Sequence, residues 1–149
     1  MKRLIMELIT YEHKVRVGYK DTDQMGIMHH SNYIVLYEQA RTEWLRDMGL
    51  TYAEIERRGI MSPIIEVHSK YLWPALYDEV LTVKVMMDEM PSARLVIRSE
   101  VYNEAGRLIN QGSVTLGFMH ASTRRPCRAP EWFVAKLEEY MAGKSKDER

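Results

Sequence analysis

The sequence predicts an α+β domain in which one antiparallel sheet curls around one buried helix. A long apolar-periodic run over residues 32–48 meets no proline or glycine until Gly49. Alternating segments precede it and follow it, and the strongest lie at residues 11–19, 79–87, 93–103 and 108–119. The order is therefore strand, long helix, short helix, four antiparallel strands, terminal helix. A helix apolar around much of its circumference must be covered, and a single sheet wrapped around it does so.

Residues 1–10 are an N-terminal extension, read as a leading strand piece or a loose arm; residues 11–142 form one domain, and residues 143–149 a charged tail. In the first strand, His13, Val15, Val17 and Tyr19 share one face against Lys14 and Arg16. Tyr33, Tyr37, Ala40, Trp44 and Met48 recur at near-helical spacing, with Ile34, Leu36 and Leu45 widening the apolar surface. Ser31 or Asn32 caps this helix, and Gly49 stops it with a left-handed residue. Thr51 and Glu54 form a reciprocal capping pair for a second, short helix that Gly59 ends.

Residues 60–73 read as one long strand with Ile65, Val67, Tyr71 and Trp73 inward and Pro63 marking a bend near its start. Glu104-Ala-Gly-Arg107 is a hairpin connection, and Gly112 and Gly117 permit a bulge or a close backbone approach. Residues 131–141 suit a terminal helix docked through Trp132, Phe133, Leu137 and Met141.

Composition bounds the function. A chain of 149 residues is long enough for one real core. Its 21 basic and 21 acidic side chains cancel, which gives no support for nucleic acid as a partner. The lone Cys127 excludes an intramolecular disulfide and any cysteine-rich zinc site. The apolar run at the start is short and broken by Glu7, no stretch approaches a membrane span, and a cytoplasmic setting is expected.

The chemistry concentrates in residues 19–44, Y-K-D-T-D-Q-M-G-I-M-H-H-S-N-Y-I-V-L-Y-E-Q-A-R-T-E-W. A carboxylate sits in a turn just ahead of a helix N-terminus, whose free N–H groups can polarise a carbonyl oxygen. That pairing suits hydrolysis of an activated acyl group. The P-loop, dinucleotide and G-x-S-x-G patterns are absent. His29 and His30 are adjacent but lack further ligands, so no metal site is read here.

Asp21-Thr22-Asp23, Gly26, His30, Asn32-Tyr33 and Glu38-x-x-Arg41 resemble the signature of the 4-hydroxybenzoyl-CoA thioesterase family of hotdog-fold acyl-CoA thioesterases. The nearer likeness is to its YbgC branch, over residues 11–133. The resemblance implies a hotdog fold, an acyl-CoA substrate or an acyl carrier protein as acyl donor, and no cofactor. It also implies a homodimer or homotetramer with sites between subunits.

By position, Asp23 takes the catalytic aspartate's place, as base or as nucleophile; the alternative is a carboxylate that only accepts turn hydrogen bonds. His30 takes the place whose N–H faces the thioester carbonyl, and its imidazole either orients water or substrate or makes a structural hydrogen bond. Gly26, His29, Asn32, Tyr33 and Glu38 are the remaining substrate-site candidates. Asn32 and Tyr33 are also architectural. Glu38 either serves as a helix-borne carboxylate or pairs with Arg41 along the helix. Arg124, Arg125 and Arg128 either meet CoA phosphates or form a solvated loop. A dehydratase and a non-catalytic acyl-CoA-binding protein are the other readings.

Overall fold

The computed structural model describes residues 10–147, so residues 1–9 of the expected 1–10 extension and residues 148–149 lie outside the described residues. The strands are β1 (Thr10–Arg16), β2 (Ile60–Met61), β3 (Ile64–Tyr71), β4 (Val80–Met86), β5 (Arg94–Tyr102), β6 (Leu108–Gly117) and β7 (Met119–His120). The helices are α1 (Asn32–Asp47), α2 (Tyr52–Arg57) and α3 (Glu131–Asp147). Five strands form one antiparallel sheet in the order β1-β4-β5-β6-β3, and β2 pairs with β7 as a separate ribbon. Among the described residues, no helix is long and apolar enough to cross a membrane.

The expected central helix is present, and its face is set by spacing. Tyr33, Leu36, Tyr37, Ala40, Trp44 and Leu45 are all buried, with Ala40 and Trp44 at 0 % exposure. They meet Leu81, Val83 and Val85 of β4, Leu95, Ile97 and Val101 of β5, and Ile109, Val114 and Leu116 of β6 in one core. Gly49 closes α1 at φ +85. Its N–H donates to the Arg46 carbonyl at 3.0 Å and that of Leu50 to Leu45 at 2.9 Å, a Schellman ending.

One polar anchor fixes how α1 lies in the sheet. The buried Tyr37 hydroxyl bonds Ser69 Oγ at 2.8 Å and donates to Asn110 Oδ1, while Asn110 Nδ2 donates to Ser69 Oγ at 3.0 Å. Gly112 makes room for it: a Cβ there would collide with the Tyr37 hydroxyl and lie 2.6 Å from the His68 carbonyl oxygen. The close approach expected at this glycine is the reason the ring fits.

Several expectations are corrected. β1 stops at Arg16, and Tyr19 opens a 3-10 turn (Tyr19–Asp21) with 80 % exposure, so it does not continue the inward face. Ile34 is exposed on the helix side away from the core. The long strand over residues 60–73 is two strands, because Ser62 and Pro63 break the ladder. Of its expected inward residues only Val67 packs on the core; Ile65 and Tyr71 are exposed on an edge strand, and Trp73 is exposed beyond its end. The last strand also divides, at Phe118, and α3 runs past Gly143, where the tail was expected to begin.

Two side-chain pairings differ as well. Arg41 does not pair with Glu38; it is 4 % exposed and its Nε donates to the Tyr52 hydroxyl at 2.8 Å. Thr51 caps α2 by accepting the Glu54 N–H at 3.1 Å, but the Glu54 carboxylate turns to Arg57 and Arg58 instead of returning to the cap. These two guanidinium groups hold its pKa below the ordinary carboxylate value.

Ala40→Asp is expected to destabilise the fold by about 2–7 kcal/mol, because it places an unpaired carboxyl in the core. Gly112→Ala is expected to lower the melting temperature by forcing Tyr37 out of its seat. Thermal unfolding checks both. Wild-type melting of either variant contradicts the described burial.

Candidate active site

The loop that carries the candidate residues begins where β1 leaves the sheet. Val17 still exchanges backbone bonds with the segment before β4, donating to the Glu79 carbonyl at 2.8 Å and accepting from the Asp78 N–H at 2.9 Å. The chain then tightens through the 3-10 turn, where Asp21 Oδ2 accepts the Gly18 N–H at 3.0 Å. The carbonyl oxygen of Asp21 receives two donors: the His29 N–H at 2.8 Å and Asn32 Nδ2 at 2.9 Å. Asn32 thereby braces the loop. Ser31 occupies the N-cap without a side-chain cap bond, so neither residue caps α1 in the expected manner.

Asp23 sits in a small hairpin. Its N–H donates to the Ile27 carbonyl at 2.9 Å, and its carbonyl accepts the Gly26 N–H at 3.0 Å. Gly26 carries φ +77, a conformation that favours glycine at this turn. Asp23 Oδ1 accepts the Met25 N–H at 2.7 Å, whereas Oδ2 accepts no hydrogen bond among the described residues. One oxygen orients the carboxylate and the other faces outward.

His29 and His30 stack with ring centroids 4.2 Å apart. His29 Nδ1 accepts the Ser31 N–H at 3.2 Å and lies 2.8 Å from Ser31 Oγ, an arrangement that assigns the neutral ring's proton to Nε2. The His30 carbonyl accepts the Tyr71 hydroxyl at 2.9 Å, while its N–H has no acceptor among the described residues. That N–H stands just ahead of α1, where the helix dipole favours developing negative charge.

The expected residues do not all converge. Asp23, His29 and Asn32 line one open groove with Tyr19, Lys20 and Ser31. His30 flanks it, and Gly26 lies at the hairpin tip. Tyr33 is buried behind the groove, edge-on to Tyr71 at 5.2 Å. Glu38 lies farther along α1, exposed and outside this lining. Arg124, Arg125 and Arg128 belong to the loop after β7 and do not line it either. Lys20 and Tyr71 were missed from sequence. Lys20 had a signal, since it adjoins Asp21; Tyr71 had none, because its contact with His30 spans 41 positions. Among the described residues no three His, Cys, Asp or Glu side chains gather as a metal site.

The model of the thioesterase-like superfamily matches residues 17–137 of this sequence. The chain belongs to that superfamily. This thioesterase-like chain is 26 % identical over 134 residues to the acyl-CoA thioester hydrolase YbgC of Escherichia coli O157:H7, covering 90 % of it and 100 % of YbgC. It is 35 % identical over 95 residues to YneP of Bacillus subtilis (strain 168), 64 % of this chain and 69 % of that one. The structure of the DHNA-CoA thioesterase from Staphylococcus aureus superposes with a TM-score of 0.80 at 27 % identity, covering 94 % and 95 % of the two chains. The curved sheet around α1 is the hotdog fold.

Tyr33 gives this region a pH signature. Burial, the largest cause, pushes its phenol up to about 12. Above an unfolded value of about 10 the unfolded chain releases the proton while the folded chain keeps it, so stability falls until about pH 12. Tyr33→Phe is therefore expected to flatten the alkaline loss of stability. Urea melts at about pH 9 and about pH 11 measure it, and an unchanged loss in the variant contradicts the assignment.

Proposed function

We propose that this thioester hydrolase cleaves acyl-CoA to a free carboxylic acid and CoA, with Asp23 as its catalytic carboxylate. The observation that carries the reading is the outward Asp23 Oδ2 on the same loop as the unengaged His30 N–H, within a chain of the thioesterase-like superfamily. In the base form of the reaction, Asp23 takes a proton from water as the water oxygen bonds to the thioester carbon. The His30 N–H receives the developing oxyanion. The tetrahedral species collapses, the C–S bond breaks, and the CoA thiolate leaves and is protonated. In the nucleophile form Oδ2 attacks the carbon itself, the C–S bond breaks to release the CoA thiolate, and water then hydrolyses the mixed anhydride to the free acid and the Asp23 carboxylate.

The other residues have supporting roles in this reading. Gly26 shapes the hairpin that carries Asp23, Asn32 holds the loop to α1, and His29 and the His30 ring border the substrate. Tyr33 backs the groove. Glu38, exposed on α1, contributes to substrate placement only if another chain brings substrate to it. An acyl carrier protein as donor is the second reading, favoured by the exposed Lys20 at the groove mouth. A cytoplasmic setting goes with the lone, half-buried Cys127.

The active form in this proposal is a homodimer or homotetramer. β3 is an outer strand of the sheet, at the end opposite β1, and it carries the exposed Ile64, Ile65 and Tyr71. Such an edge is a template for pairing with another strand, and a second copy of β3 extends the sheet and covers these side chains. Sedimentation at assay concentration is expected to give at least a dimer. A fully active monomer removes the shared-site part of the proposal.

The catalytic assignment is tested by kcat/KM. Asp23→Asn is expected to fold and bind acyl-CoA but lose about 10²–10⁴-fold in thiol release. Glu38→Gln is expected to cost far less. An active Asp23→Asn beside an inactive Glu38→Gln identifies the wrong carboxylate. If the wild type binds acyl-CoA yet releases no thiol from CoA or carrier-protein donors, a binding protein is the better description.

A further inference from the structure

Beside the Asp23 groove, a second recess opens between the end of β1 and the first half of α1. It has a volume of about 500 Å³, within the range of ligand clefts. Its floor is Val17, Met28, Leu36 and Leu81, all buried, with Val15 at the side. Lys20 and Asn32 line both this cleft and the Asp23 groove, so the two adjoin at that threshold. We propose that this cleft receives the acyl group of the substrate and selects a linear, medium-length aliphatic chain. The inference rests on the thioesterase reading above and adds the substrate class to it.

The shape follows from helix geometry. Asn32, Val35, Leu36 and Gln39 lie at i, i+3, i+4 and i+7, one stripe of α1 facing β1. From Asn32 to Gln39 the helix advances about 10 Å. A chain whose carbonyl sits near the threshold therefore runs along Val35 and Leu36 and ends at Gln39. No lining residue is aromatic, so a flat ring finds no edge or face partner, whereas methylenes pack well on Val, Leu and Met. The charged rim does not reach the floor. Arg16 is held by the Asp78 carbonyl at 2.7 Å, and the Asp21 carboxylate is engaged by the Gly18 N–H. An apolar void beside Arg41, at the far half of α1, is about 20 Å³, room for a water and not for an acyl chain.

The test is thiol release from acetyl-, butanoyl-, octanoyl- and benzoyl-CoA. Wild-type kcat/KM is expected to climb from acetyl to octanoyl by up to roughly fourfold per methylene buried and to be lower for benzoyl. Gln39→Trp, at the end of the stripe, is expected to lower the octanoyl-to-butanoyl ratio by about tenfold or more, equivalent to losing two methylene contacts. Val35→Trp is expected to move the ratio the same way. Both positions are exposed, so folding tolerates the change, and circular dichroism checks it. Folded variants with the wild-type ratio, or a wild type that prefers benzoyl over octanoyl, overturn the inference while leaving the hydrolase reading intact. A wild type inactive on every acyl-CoA sinks both.

Discussion

The seat of Tyr37 over Gly112 is the constraint on which the rest of the molecule depends. A helix can lie on an apolar sheet in many rotations, since hydrophobic contact is not directional. The hydroxyl of Tyr37, bonded to Ser69 and Asn110 from two strands, admits one of them. Losing a partner would leave a polar group stranded in the core, at a cost of about 1–3 kcal/mol. The start of α1 is thereby set, and with it the place of the loop that carries Asp23.

From that fixed start, order passes along main-chain oxygens. The Asp21 carbonyl ties the loop to the base of α1, the Ala75 carbonyl accepts the Met28 N–H at 2.8 Å, and the His30 carbonyl is held by Tyr71. The carboxylates keep the duties their surroundings leave them. Asp21 spends an oxygen on Gly18, whereas Asp23 gives one to Met25 and keeps the other outward. Two acidic residues one apart in sequence are thus different chemical objects.

Much of this was readable from the chain, and the part that was not has a common cause. The α1 face, Gly49 as its stop, the close approach at Gly112 and the antiparallel strands all follow from spacing and local chemistry. The failures lie where a distant partner outbid a near one. Arg41 chose Tyr52, eleven positions on, over Glu38 in the preceding turn of its own helix. The alternation over residues 64–71 was real but belongs to an edge strand, where period two does not tell which side is covered. The same limit hid Tyr71 from the site: nothing local marks a residue that reaches a loop far back in the chain.

The dependence of the loop on carbonyl oxygens bears on how such a protein changes over generations. A carbonyl is present whatever side chain the position carries, so substitutions at Thr22, Gln24 or His29 leave the scaffold bonds through Asp21, Ile27 and Ala75 in place. The outward surface of the loop can drift while the frame is inherited intact. Innovation at the mouth of the groove is mechanically uncoupled from the integrity of the domain. Asp21, Asn32 and Tyr71 are among the exceptions, side chains that bond the loop's backbone, and they are positions where drift would reach the frame.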